Sequence, residues 1–417
     1  MAFRLLTLTF FLILAHPIVH AQMSLIGMSP RPAMDSIDVI KWQPMSGISP
    51  ARYTAPVYGW TNNTGLFDAF QGKYYLSAIT PSGGQLMSFH PISNQVSFAS
   101  LGQISNSTEI DMSNGRFYSI VAQISGDLGV YEFNPSSGSD TLLGTIVEPG
   151  IQEVAANATA FDSNNGVLFY IGQDGNLNYL YTLNLRGAAF SWSKTVLPTN
   201  FNPVTQTVVP YFCVNFDNQQ NILFAVTAEY DTTWTQVNWN IVEIDRGNGN
   251  LTTRYSLDAF PYLMHLGTSV YDQNSGTLLL TGPDTLSNGG QRLILFNTIT
   301  NTITTDILPA ATYEIACDNH QFAQNRYRSS TSASSLEKDQ KLNIYPNPTN
   351  NHFLINSELP LVPVEVLIQG VNGQFVLQTQ TLPSDSNPIS LPAIAQGVYV
   401  VHLRQGESRS THRLLVR

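Results

Sequence analysis

Charge is scarce in this sequence of 417 residues: 19 Lys and Arg and 29 Asp and Glu make up 12% of the chain, for a formal net charge of −10. A typical soluble domain carries about a quarter charged residues. No basic patch is present to hold phosphates, which argues against nucleic acid as a partner. The Glu, Lys and Ala that fill exposed helix faces are too few for a helical bundle. A charge-driven disordered chain is excluded by the 43% of hydrophobic residues. Cysteine is limited to Cys213 and Cys317, and the 8 His are scattered, so no structural zinc site can be assembled. The sequence has no H-E-x-x-H, no G-x-S-x-G, no P-loop and no dinucleotide fingerprint. No metal and no cofactor are expected, and catalytic residues are unknown. What is abundant is Gly (29), Pro (23), Tyr (18) and Phe (21), with many Asn, Ser and Thr, the composition of a β-rich protein.

Residues 1–21 read as a secretory signal peptide. Arg4 precedes an apolar run from Leu5 to Ala15, and Val19-His20-Ala21 is a small-x-small cleavage pattern before Gln22. A membrane anchor needs about 18–20 uninterrupted apolar residues, and His16, Pro17 and His20 interrupt this one. No membrane span is expected after cleavage.

Residues 22–328 read as a repeat. An apolar residue, Asp, three polar or small residues and Gly recur before a short apolar strand. The aspartates are Asp68, Asp111, Asp162, Asp217 and Asp272, with a degenerate sixth copy at Cys317-Asp318-Asn319-His320. A period of 40–55 residues with short strands points to a β-propeller of four-stranded blades. The aspartates are expected to be structural: Asp accepts backbone N–H groups within a tight turn, and Gly or Asn supplies the positive φ that closes it. A calcium loop would need more carboxylates than any copy supplies. A second motif, an alternating apolar strand that ends in a turn, follows each first one; Val130-Tyr131-Glu132-Phe133-Asn134-Pro135 is an example. Ile37 to Pro44 is such a second motif with no first motif before it, whereas Asp318 has almost nothing after it. The two fragments complete one another. The expected fold is therefore all-β: six blades, the last shared by residues near 23–55 and 309–328, so that no sheet edge is left open.

In that fold the aspartate turns lie on one face, and the loops on the opposite face carry the candidate ligand-binding residues. The longest loop runs from Ala228 to Asn240, with Glu229, Asp231, Trp234 and Trp239; other loops bring Trp60, Glu153 and His265. Tryptophans can stack on a sugar, and acids or a histidine can act as acid, base or ligand. Each also has an ordinary reading as a packed or solvated loop residue. Binding of an extracellular glycan or protein is the preferred function. The alternative is an extracellular hydrolase, lyase or lactonase with Glu109, Glu153 and Glu314 at the channel mouth. Cys213 and Cys317 fall on inner strands of different, non-adjacent blades, which predicts two buried free thiols.

Residues 329–340 form a Ser-rich linker, and 341–417 read as a small Ig-like β-sandwich with turns at Asn347-Pro348, Asn372-Gly373 and Gln405-Gly406. Tyr345-Pro346-Asn347-Pro348, Gly370-Val371-Asn372-Gly373, Gly397-Val398-Tyr399 and the terminal basic-apolar strand together resemble the type A C-terminal sorting domain of the type IX secretion system of Bacteroidetes. The resemblance implies that Tyr345, Pro346, Asn347, Pro348, Gly373, Gly397 and Tyr399 belong to a sorting signal read by the type IX secretion machinery. It implies export through the periplasm to a secreted or outer-membrane surface-attached state. Within 22–328 there are 12 Lys and Arg against 23 Asp and Glu, so the acidity belongs to the repeat region.

Overall fold

The structure, a computed structural model, describes residues 23–328 and 343–417 apart from loop segments such as 102–106, 153–156, 203–206, 231–236, 258–267 and 285–289. Residues 1–21, expected to be a signal peptide, and 329–340, expected to be a linker, fall outside the described residues. The chain divides into two compact units between Ser330 and Thr331.

Among the described residues the first unit holds a small two-stranded sheet, Phe201–Asn202 with Thr207–Val208, and six antiparallel sheets of four or five strands. In chain order their innermost strands are Leu66–Asp68, Ser107–Asp111, Thr159–Asp162, Phe212–Asp217, Ser269–Asp272 and Glu314–Cys317. Burial falls from the inside outward. Thr159–Asp162 is buried throughout, whereas in the outermost strand Thr302–Ile307 every residue is exposed or half-buried. Second strands such as Ile222–Tyr230 are apolar on both faces because each sheet is packed between two others. Six apolar clusters fill the spaces between successive sheets, and one of them joins the sixth sheet (Ile26, Met28) to the first (Leu76, Phe89). Each innermost strand also touches the next, and Glu314–Cys317 touches Leu66–Asp68.

The sixth sheet is assembled from both ends of the unit. Leu25–Pro30 pairs with Ile37–Trp42 on one side and with Glu314–Cys317 on the other, in the register Leu25 to Cys317 and Met28 to Glu314. Gly27 sits where a Cβ would lie 2.6 Å from the Thr312 methyl and 2.9 Å from Glu314 O, so no side chain fits at this crossing. After the Asp318 turn the chain forms a short helix, His320–Ala323, and then one wider turn, Gln324–Arg328. No second strand is needed there, because Leu25–Pro30 already occupies that place.

Cys213 and Cys317 are free and buried. Burial pushes the Cys213 thiol up to about 12 and holds Cys317 well above its ordinary value. Neither thiol is expected to react with Ellman's reagent in the native protein, and both should react after denaturation. Fast labelling of the native protein would contradict this placement.

The second unit is a sandwich. One sheet joins Asn343–Tyr345, His352–Asn356 and Ile389–Ser390; the other has the order Phe375–Thr381, Val364–Gly370, Gly397–Gln405, Ser408–Val416. Phe353 and Ile355 from the first meet Val366, Ile368, Val401 and Leu414 from the second in one core.

Candidate functional site

The turn aspartates Asp68, Asp111, Asp162, Asp217 and Asp272 are buried. Asp162 Oδ1 accepts the N–H groups of Asn164 (2.9 Å) and Asn165 (3.0 Å), and Gly166, at φ +68°, closes the turn by donating to Asp162 O. Asp217 does the same with Gln219 (2.7 Å), Gln220 (2.9 Å) and Asn221, at φ +64°. In three of them the second carboxylate oxygen reaches the following sheet: Arg186 binds Asp111, Arg246 lies 3.5 Å from Asp162, and Tyr271 Oη donates to Asp217 at 2.6 Å; that of Asp272 accepts from Ser275 Oγ in its own turn at 2.6 Å. Asp111, Asp162 and Asp217 thus close turns and tie neighbouring sheets together.

One step further along, a belt of polar side chains crosses from sheet to sheet. The N–H of Met112 donates to Ser163 Oγ (2.9 Å), that of Ser163 to Asn218 Oδ1 (2.7 Å), that of Asn218 to Gln273 Oε1 (2.9 Å) and that of Gln273 to Asn319 Oδ1 (2.8 Å). The amide nitrogens of Gln273 and Asn319 return the contact to Phe216 O and Tyr271 O. The sequence reading missed this belt. Its signal was the residue after each aspartate, which is Ser, Asn, Gln and Asn in the third to sixth copies.

Inside the belt lies a cavity of about 120 Å³ lined from all six innermost strands. The residue two before each aspartate lines it (Leu66, Glu109, Ala160, Asn215, Val270 and Ala316), together with polar neighbours that include Thr108, Thr159, Ser269 and the belt residues Asn218, Gln273 and Asn319. The turn-side end is covered by the 320–328 segment, where Phe322 and Tyr327 pack on Met112 and Ile110. Glu109 accepts a hydrogen bond from Thr159 Oγ1 at 2.7 Å. Burial pushes its carboxyl up to about 7, and the Thr159 bond pulls it partly back. Glu314 is buried, and its Oε2 accepts from Gly65 N at 3.2 Å. Among the described residues no group of three or more His, Cys, Asp and Glu could hold a metal ion.

Glu109 sets a pH dependence. The folded state keeps its proton to a higher pH than the unfolded chain does, so its contribution to stability is lost as pH rises from about 4.5 towards 7. Glu109→Gln is neutral throughout and is expected to flatten that part of the profile, read as guanidinium midpoints at pH 5 and pH 8. Parallel profiles for the two proteins would place Glu109 in solvent.

The loop-face candidates are dispersed. Glu153, Asp231, Trp234 and His265 lie outside the described residues. Glu229 is exposed on the strand Ile222–Tyr230. Trp239 is half-buried, edge-on to Phe212 at 5.8 Å, and packs against the core between the fourth and fifth sheets. A different aromatic pair stands on that face. Trp60 and Tyr313 lie 5.6 Å apart, beside exposed Tyr58 (51%) and Ile79 (45%). Gly59–Trp60 pairs with Ala78 and Ile79, at the far end of a strand from its aspartate turn, which puts the pair opposite the turns.

In the second unit, Asn347 holds the last strand. Its Oδ1 accepts Leu415 N at 3.0 Å and its Nδ2 donates to Arg413 O. Thr349 N donates to Leu415 O (2.8 Å), and Arg417 N returns to Thr349 O (2.9 Å). Tyr345 is exposed (37%), and the peptide bonds before Pro346 and Pro348 are cis. Tyr399 Oη donates to Ala395 O at 2.7 Å, Gly397 begins its strand opposite Val416, and Gly373 lies outside the described residues.

Residues 343–417 match the secretion system C-terminal sorting domain. The sorting domain marks the protein for export, to a secreted or outer-membrane surface-attached state, and implies an encounter with the secretion machinery. No described helix is long and apolar enough to cross a membrane. No curated protein matches the sequence. Upstream of the sorting domain the likeness is to propeller-like solved structures. TolB from Acinetobacter baumannii is 8% identical over 71% of this chain and 66% of that chain, just under two thirds of its length, with a TM-score of 0.50. A putative 6-phosphogluconolactonase from Bacteroides fragilis is 10% identical over 71% of this chain and 97% of that chain, with a TM-score of 0.43. At such identities the likeness concerns fold alone.

Proposed function

We propose that residues 22–328 form a six-bladed β-propeller closed by its own chain ends, and that this exported propeller binds an extracellular glycan on the face opposite its aspartate turns. The pairing of Leu25–Pro30 with Glu314–Cys317 and the contact of Glu314–Cys317 with Leu66–Asp68 support closure. Residues 1–21 act as a signal peptide, 329–340 as a linker, and 341–417 deliver the propeller to the outside through the type IX secretion machinery of a Bacteroidetes cell.

The observation that carries the binding reading is the aromatic patch of Trp60, Tyr313 and Tyr58. Aromatic faces held on strand ends present flat apolar area to the C–H faces of a sugar at low entropy cost. Glu229, Asp231, Trp234, Trp239, His265 and Glu153 remain candidate contacts elsewhere on the loops of that face. The test is a glycan array on the mature protein, followed by Trp60→Ala and Tyr313→Ala. Each variant is expected to weaken a detected glycan at least tenfold, or about 1.4 kcal/mol; Trp60 also packs against the core between the sixth and first sheets, so its variant lowers the thermal midpoint as well, and Tyr313→Ala carries the test at a nearly unchanged midpoint. Unchanged binding in both variants, or capture of a protein ligand alone, would refute the glycan assignment.

A further inference from the structure

On the turn face, beside the 320–328 segment, lies an open depression of about 500 Å³ whose lining side chains are all polar. Ser113, Asn165 and Asn221 reach it from the turns that follow the second, third and fourth innermost strands, and Arg326 and Tyr327 reach it from the chain end. That chain end is fixed in place. Phe322 and Tyr327 meet edge-on at 5.8 Å and pack on Met112. Tyr327 Oη and Arg326 Nε both donate to Asn164 Oδ1 at 2.9 Å, and Asn164 Nδ2 donates onward to Asn218 O in the belt at 2.7 Å. With Nε committed, the Nη1 and Nη2 edge of the Arg326 guanidinium keeps its donors free among the described residues.

Charge singles out the same residue. Arg186 also lines the depression, but it pairs with buried Asp111 and donates to Ser113 Oγ and to the carbonyls of Ser163 and Asn164. Arg246 lies beside Asp162. The turn carboxylates are thus balanced without Arg326, which has no ion pair among the described residues. A guanidinium that offers two parallel donors matches a planar carboxylate. A tetrahedral anion has three outward oxygens, for which one such fork is an incomplete partner. The other groups suit hydroxyls. The Asn221 amide has no partner among the described residues, Asn165 Oδ1 is left over when its Nδ2 donates to Asp162 (2.8 Å), and the Ser113 hydroxyl accepts from Arg186 and can still donate.

We propose that this depression is a second binding site, for a uronate residue of an acidic glycan, whose carboxylate is held by the Nη1 and Nη2 edge of Arg326 and whose hydroxyls meet Asn221, Asn165 and Ser113.

The probe is trigalacturonate, with its methyl ester as the uncharged counterpart and sodium sulfate as the tetrahedral anion, titrated calorimetrically into the mature full-length protein at neutral pH and low salt. Trigalacturonate is expected to bind, and to bind more weakly as added salt screens the pair. The methyl ester and sulfate should give no heat of binding. Arg326→Gln should weaken trigalacturonate about tenfold or more with the circular dichroism unchanged, since the exposed guanidinium makes a single hydrogen bond to the protein. Arg326→Lys keeps the charge and loses the fork, so it should recover only part of that affinity. Asn221→Gly keeps the positive φ of its turn (+64°) and removes only the amide, and should weaken binding severalfold. Absence of trigalacturonate binding, equal binding of the methyl ester, or full affinity in Arg326→Gln would overturn the proposal. Sulfate binding that is lost with Arg326→Gln would also overturn it, by marking an adventitious ion only. The reading of the aromatic face stands or falls separately, because Arg326→Gln leaves Trp60 and Tyr313 in place and their variants leave Arg326 in place.

Discussion

Asp217→Ala is expected to lower the stability of the mature protein by about 3–4 kcal/mol, read as a guanidinium midpoint with the slope unchanged. The carboxylate is buried and accepts from the N–H groups of Gln219 and Gln220, from Gln220 Nε2 (2.9 Å) and from Tyr271 Oη across the sheet boundary. Alanine leaves these donors without an acceptor inside the protein, and each buried orphan costs about 1–3 kcal/mol. The total stays below their sum because Gln220 can turn to water and Tyr271 keeps Thr298 Oγ1 at 2.8 Å. Asp245 is the internal control. Its Oδ1 accepts Gly247 N at 2.8 Å in a turn of similar chemistry, but it is exposed. Asp245→Ala is expected to cost about 1 kcal/mol or less. Equal losses at the two sites would mean that the turn alone matters and that the bridge to Tyr271 contributes nothing. Tyr271→Phe combined with Asp217→Ala should show coupling, since both remove the same bond.

The contrast between these two aspartates also explains what the sequence could disclose. A tight turn is a local object, written in Asp, Asn and Gly within five residues, so its copies can be read along the chain. The sharing of the sixth sheet is legible for a similar reason: two incomplete motifs, at Ile37–Trp42 and at Asp318, lack complementary parts. The sorting segment is a short string with fixed spacing. The belt of Ser163, Asn218, Gln273 and Asn319 is not local. Each bond joins residues one whole repeat apart, and a polar residue after Asp is unremarkable until its neighbour is in place. The cavity is walled from all six innermost strands, so Glu109 reads as an ordinary strand acid until the other five stand around it. Trp60 and Tyr313 come from opposite ends of the first unit and meet only where the sixth sheet packs on the first. Trp239 shows the converse: as a string it belongs to an aromatic loop, but Phe212 on the adjacent strand covers it. The helix at His320–Ala323 was hidden because a degenerate repeat suggests a missing strand, whereas the place of that strand had been filled from the other chain end.

Removing the last five residues, Arg413 to Arg417, is expected to abolish delivery to the cell surface as completely as deletion of 343–417. Leu414 and Val416 are buried in the sandwich core, at 0% and 4% exposure. Their loss forfeits about 2–3 kcal/mol each in burial and packing. A domain of this size is held together by roughly 4–11 kcal/mol, so the truncation consumes much of its stability. It also strips Asn347 and Thr349 of their partners, since both bond to the backbone of that strand. The final strand is an outer strand of its sheet, paired with Gly397–Gln405 along one edge and held by the 347–349 segment near its end along the other. Asn347→Ala separates fold from signal. It removes two hydrogen bonds at an exposed position, about 1–2 kcal/mol, and leaves the core intact. If the machinery reads the folded sandwich, this variant should be exported at a reduced level, and the defect should ease at lower temperature. If it reads the Asn347 side chain itself, export should fail even though the domain remains folded. Cell fractionation, with protease added to intact cells, measures both outcomes; surface display of the protein lacking 413–417 would show that neither the strand nor the core it completes is required.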